Sequence, residues 1–487
     1  MNIIRRIVGT LLIIAAGAAV VVIDRQGGDA PIGAASGLVT LGGFPQAVSG
    51  NRISTSWFCP GAAAGDGLDG ASVVFANPSD VAITATLSLL SDGPAEYQNI
   101  SVPPRDRLSV DILRGRTVGV VVPVVEIIGG IGTVEQQLVY AAGDVTSQCV
   151  SQTSDTWYFA DGFTAEGSTQ RIVLINPYPE SAVVNVSYTT AEGRRTPANL
   201  QGVILPAQSS KSLSMADVGA ANEPQIAVEV IATTGQIVAS RMQHFMGGGR
   251  LGYSTSVGVP EALGDWWFTS GRTGAQVTEQ LVVFNPSKRD AQLNVAFFGE
   301  GITNGATTDA ALNASVPSQS VDIPAGGIVY INTDNIADLP KGDHAMVVST
   351  LNGSRVIVEH VLSQRTGGSF FTAMTNGIPS GLAASKWRIP SGLAKGARNA
   401  LSILNTTAVD GTFTMSAVGP GGLIDLPNLV NVPLGAASLI SLDVPEGVNE
   451  GEVVITATVP VVIQRRTTRG HGLVGFGIVG ALPVREK

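Results

Sequence analysis

The chain has 487 residues, 44% hydrophobic and 14% charged, with 59 Gly, 26 Pro and a formal net charge of −9. That length exceeds one hydrophobic core and suggests three or four domains of about 100 to 150 residues, and the apolar fraction excludes a disordered chain. Mild acidity, with no Lys/Arg run longer than a pair, excludes a surface that tracks nucleic-acid phosphates.

Arg5 and Arg6 precede an uncharged run from Ile7 to Ile23 that stops at Asp24. As a helix this run spans about 26 Å, near the thin limit of a bilayer core. The arginines keep the N-terminus cytoplasmic and send everything from about residue 25 outside. Residues 1–24 are therefore expected to be one N-terminal transmembrane helix and a single-pass membrane anchor. Ala16-Gly17-Ala18 offers signal-peptide cleavage, and so secretion, as the alternative. Residues 25–45 read as a linker.

From residue 46 the chain repeats. Trp57, Trp157, Trp266 (beside Trp267) and Trp387 each open a copy, and Asn77, Asn176, Asn285 and Asn405 each close an apolar strand downstream. The strand after each Asn alternates: Ile83, Ala85, Leu87 and Leu89 are interleaved with Thr84, Thr86 and Ser88. Period two with one apolar face marks a half-buried strand. An apolar residue and Pro follow, as in Val102-Pro103 and Ile323-Pro324. Thr234-Gly235, Asn352-Gly353 and Val459-Pro460 then read as hairpin turns. The boundaries are 46–151, 152–262, 263–383 and 384–487.

About seven short strands per copy predict an all-β fold of four tandem immunoglobulin-like β-sandwich modules. A propeller is the rival, but its blades are usually about 40 to 50 residues long. The modules are expected to form a rod or a compact arc. Cys59 and Cys149 lie at the two ends of module 1 on the exported side, where a pair favours a structural disulfide.

Chemistry is sparse. His244, His344, His360 and His471 show no metal-ligand spacing, and His244 and His360 read as surface or strand-pairing residues. The sequence holds no GxSxG, SxxK, P-loop or HExxH motif. "GDGLDG" at 65–70 has too few carboxylates for calcium and reads as a turn. No catalytic residue, metal or cofactor is assigned. The repeated tryptophans, each at the start of a copy and placed before its first long strand, read as core plugs, and Trp267 is the one candidate for an exposed aromatic contact. At the corners, the Asn side chain is expected to cap the turn by bonding the backbone two residues on.

The single apolar N-terminal run, the W-x-F-x-x-G motif seen in "WYFADG", the strand ending in Asn-Pro and the Val-Pro strand together resemble an actinobacterial family of membrane-anchored envelope proteins of unknown function. The resemblance implies location at the cell envelope and no reaction. The expected function is a non-enzymatic extracytoplasmic scaffold or adhesion protein, with a cell-wall glycan or an envelope protein as partner. The alternatives are a carbohydrate-active enzyme or accessory subunit, which needs paired carboxylates in an aromatic-lined cleft, and a tethered partner of a membrane glycosyltransferase.

Overall fold

The computed structural model describes residues 41–47, 53–129, 131–141, 143–299, 302–303, 314–315, 318–366, 369–392, 397–444, 451–469 and 476–485. The expected transmembrane helix lies outside them, and no helix among the described residues is long and apolar enough to cross a membrane. These residues form strands and single-turn 3-10 segments, with no α-helix among them.

Each of the first three modules is built on two antiparallel sheets, and in the fourth one long strand joins the two layers into a nine-stranded sheet. In the first, the outer sheet orders Ser54–Phe58, Val120–Ile128, Ile83–Leu90 and Glu96–Val102, and the inner sheet orders Asp106–Asp111, Leu68–Asn77, Thr133–Tyr140 and Gly143–Gln148. The alternation read from sequence holds: Ile83, Ala85, Leu87 and Leu89 are buried, and the residues between them are exposed or half-buried. Trp57, Trp157, Trp266 and Trp387 are all fully buried. The indoles of Trp157 and Trp266 also donate to Ile237 O (3.0 Å) and Val356 O (2.9 Å), tying the first strand to a turn of its own module. The Cys59–Cys149 disulfide is formed and encloses a sequence separation of 90.

The expected hairpins take a different form. Ala227–Thr234 lies in the outer sheet and Val238–Phe245 in the inner one, and Gly342–Thr350 and Ile357–Thr366 divide in the same way. Gly235 and Gly353 keep the positive φ (76° and 70°) that the turn signal requires. The arms nevertheless face each other across the core instead of pairing edge to edge, because both carry an apolar face that must be buried. In module 4 the turn expected at Val459-Pro460 is absent: Val453–Arg469 is one strand that leaves the outer sheet and enters the inner one. Its elbow is the proline, and Val461 pairs with Ala384 on one side and Asn405 on the other.

Each inner sheet ends on its own axial strand: Gly143–Gln148, Gly252–Val257, Ser369–Asn376 and Phe476–Gly480. These four strands pack in a cycle, first on second, second on third, third on fourth and fourth on first. The modules therefore close a ring, not the expected rod or arc. Four inner sheets radiate from one axis as propeller blades do, each with an outer sheet laid over it, and closure covers four sheet edges that would otherwise be open.

The Asn corners, the turns between sheets and the intermodule segments all collect at one end of the strands, here called the linker face. Ser154 bonds reciprocally to Ile237 and Leu263 to Val356 at this end. Residues 41–45, expected as linker, are packed here. Leu41 and Phe44 are 4% and 2% exposed, Phe44 sits edge-on to Trp266, and Ala47 N donates to Pro483 O at 2.9 Å. A Cβ added to Gly42 would strike Gln152, one on Gly43 would strike Pro260 and one on Gly381 would strike Leu41. This short segment touches the chain after every module.

Candidate functional site

The axis is the first place to look for a ligand. It is lined by the four axial strands and Pro45, among them Ser147, Ser254, Thr375 and Ile478, and encloses only about 50 Å³. That volume suits a water or two. Ser147 Oγ donates to Thr255 O (2.6 Å), Asn376 Nδ2 to Val257 O (2.9 Å) and Gln148 Nε2 to Ala481 O (3.0 Å), so its polar groups stitch neighbouring modules together.

A repeated polar joint lies further out. Glu135, Ser240, Glu359 and Gln464 sit opposite the residue three before each repeat Asn, and none is more than 1% exposed. Each reaches the backbone three or four residues past the Trp of the preceding module, which is a loop after the Trp strand in modules 1, 2 and 4 and a bulge within it in module 3. Ser240 Oγ donates to Pro60 O (2.7 Å), and Glu359 Oε2 accepts from Asp161 N (2.9 Å). Gln464 Oε1 accepts from Thr269 N and Ser270 N (2.7 and 3.1 Å). Glu135 Oε2 accepts from Ser391 N (3.2 Å), which closes the cycle from module 4 to module 1.

The next residue along braces the same loop from within its own module. Gln136 exchanges two bonds with Gly61, Arg241 donates to Asp161 O and Arg465 to Ser391 Oγ. Two joints are also ionic: Arg241 meets Glu359 at 2.8 Å and Arg465 meets Glu135 at 2.6 Å, all four side chains being 0–2% exposed. Burial pushes the Glu359 carboxyl above its usual range, and Arg241 only partly offsets it. Arg388 adds a bidentate bond to Glu452, at 2.6 and 2.8 Å, beside Ile131 of module 1.

Module 3 alone carries a His–Glu–His cluster between its sheets. His344 Nε2 and His360 Nε2 lie 2.8 and 2.7 Å from the two Glu279 oxygens, with all three side chains at 0–1% exposure, and Arg272 N donates to Glu279 Oε1 at 3.0 Å. Burial alone would raise this carboxyl, but the charge and hydrogen bond of His344, then those of His360, hold it far below the usual range. His360, read from sequence as a surface or strand-pairing residue, is instead a core partner of a buried charge. Modules 1, 2 and 4 place Ala71, Gln170 and Asn399 at the position of Glu279, six before the repeat Asn. No group of His, Cys, Asp or Glu among the described residues is arranged to hold a metal ion.

The other sequence-predicted residues are structural. Asn77, Asn176, Asn285 and Asn405 are 0–1% exposed. Each Oδ1 accepts from the backbone two residues on, at Ser79, Tyr178, Ser287 and Thr407. Each Nδ2 spans the corner to the carbonyl four residues on, at Val81, Glu180, Arg289 and Val409. Trp267, expected as an exposed contact, is 2% exposed. Strand alternation turns it away from Trp266, and its strand packs on module 4. An open groove of about 670 Å³ on module 1 is lined by Asp69, Asp111 and Arg116, with Ser, Thr, Gly and aliphatic residues between them. The sequence reading missed the joint residues, whose signal is a polar residue inside the apolar strand before each axial strand.

The sequence matches a family described as "Family of unknown function (DUF5719)" over residues 131–250 and 260–485. The chain belongs to that family. All four joint residues, Glu135, Ser240, Glu359 and Gln464, fall within the DUF5719 match. No curated protein matches the chain. Among solved structures it is similar to the crystal structure of Thermotoga maritima 1070, at 16% identity over 22% of this chain and 95% of that one, with a TM-score of 0.20. It is also similar to the C-terminal domain of the Streptococcus pyogenes antigen I/II-family protein AspA, at 10% identity over 46% of this chain and 99% of that one, with a TM-score of 0.11. Likenesses this slight carry no argument about fold or function.

Proposed function

We propose that the chain is a non-enzymatic scaffold of the cell envelope: a rigid four-module ring held outside the membrane by the apolar run Ile7 to Ile23, presenting its surface to an envelope protein or a cell-wall glycan. One observation carries this reading. The segment Leu41–Ala47, which follows that run in sequence, is seated against the chain after each of the four modules, so a tether at residue 40 holds the whole ring and not one module of it. The test is crosslinking and pull-down from envelopes with the full chain and with residues 41–487, alongside a polysaccharide panel. Co-purification of an envelope component that requires the ring supports the scaffold; a ring that captures neither protein nor glycan overturns it.

The groove on module 1 favours the second reading, a carbohydrate-active or glycan-binding surface, because Asp69 and Asp111 line it together. It lacks the aromatic wall such a cleft commonly has, which is why it ranks second. Glycan hydrolysis or binding lost in Asp69→Asn with Asp111→Asn would promote it.

A further inference from the structure

We propose that the linker face of the ring is a docking surface for the bilayer, fitted to the zwitterionic lipid interface; this rests on the tethered reading above and adds which side of the ring meets the membrane. The length of chain ahead of the ring makes the first argument. Residues 24–40 separate the apolar run from Leu41 and include Gly27, Gly28, Gly33 and Gly37. Seventeen residues can reach at most roughly 60 Å. Leu41 is fixed on the linker face, so this face is the one drawn to the membrane.

The second argument is what this face exposes. Large apolar side chains stand out at or beside the corner of every module: Val81 at 62%, Tyr178 at 39%, Leu351 at 56% and Val409 at 51%. Val81 and Val409 occupy the same position, four after the repeat Asn, and their carbonyls accept the Asn amide that holds the turn rigid. Ile53 and Ile128, 90% and 58% exposed, adjoin the corner of module 1, where Gly129 N bonds Ile53 O. Single exposed apolar residues are ordinary on any surface, but one at each corner of a ring, all on the tethered side, gives several shallow insertion points in one plane. Charge selects the lipid. Asp80, Glu180, Asp290 and Asp410 stand in these same turns, offset only in module 3 by Lys288 and Arg289, so four carboxylates against two cations leave the corners net acidic and favour a zwitterionic surface over an anionic one.

The test uses the full chain in phosphatidylcholine vesicles. An environment-sensitive dye is placed on Val81→Cys, Leu351→Cys or Val409→Cys, with Val118→Cys and Met246→Cys as far-face controls, 78% and 53% exposed. The native cysteines are paired with each other. Docking predicts a blue shift and quenching by spin-labelled lipid at the three linker-face positions only, with both effects reduced when phosphatidylglycerol is added. Co-flotation with equal signals from the two faces, or stronger quenching at Val118, overturns the docking and leaves the tether standing. A chain that does not co-float overturns the tether and the docking with it.

Discussion

Asn285 satisfies five groups with one side chain. Its Nδ2 donates to Arg289, Ile323 and Pro324 carbonyls at 2.7, 3.2 and 3.2 Å, and its Oδ1 accepts from Ser287 N and Oγ at 3.1 and 2.8 Å. Asn285→Ala is expected to cost about 2–3 kcal/mol, since several buried partners lose their bond at once. Asn285→Asp should cost at least as much at neutral pH, because a carboxylate oxygen then faces three carbonyls; urea melts of both variants check the order. That the Asn mattered more than the Pro was legible in sequence, since Thr406 replaces Pro in one copy and the Asn never changes. Glu279 was not legible, because nothing local in "VTEQLVVF" shows that two histidines some 65 and 81 residues away will converge on it. Its carboxyl is held below the unfolded value, so its stabilisation is present above about pH 4.5 and is lost as pH falls toward the lowered folded value. Urea midpoints between pH 6 and pH 3 should fall more steeply for the wild type than for Glu279→Gln, and parallel slopes would refute the assignment.

Strands and turns obey a rule that sequence states incompletely. Periodicity identifies a strand and its buried face, and Asn352-Gly353 identifies a turn, but neither says whether the flanking arms pair sideways or stack across a core. The turns between sheets therefore looked like hairpins. The elbow at Pro460 looked like a turn because proline has no amide to give a ladder, a demand that a strand changing sheets does not make at that point. The joints between modules are also set at this scale. Arg465→Ala strands the Glu135 carboxylate in a dry interface and is expected to cost about 3–5 kcal/mol, while the double change Glu135→Gln with Arg465→Met should cost clearly less. Thermal melts of the single and double variants separate the two cases. Cys59→Ala with Cys149→Ala releases a closure of 90 residues, worth up to about 4–5 kcal/mol on the loop-entropy account, and should lower the melting temperature of the whole ring.

At the scale of the molecule, each module supplies a loop to one neighbour and a polar side chain to the other, so stability is shared around the ring. Calorimetry of the full chain should show one cooperative transition, not a series of module transitions. Phe44→Ala, which empties a buried aromatic site beside Trp266, should lower that transition as a whole by about 3 kcal/mol. Ring closure was hidden in the sequence because the four polar joint residues differ in kind, as Glu, Ser, Glu and Gln, and share only a place in the register. Closure also fixes an arithmetic. An open array of repeats can gain or lose a unit at either end and stay folded, but here every unit is clamped on both sides and none is terminal. Deleting one leaves an unmatched loop facing an unmatched side chain across a gap of the wrong angle, so the copy number of this ring is quantised at four.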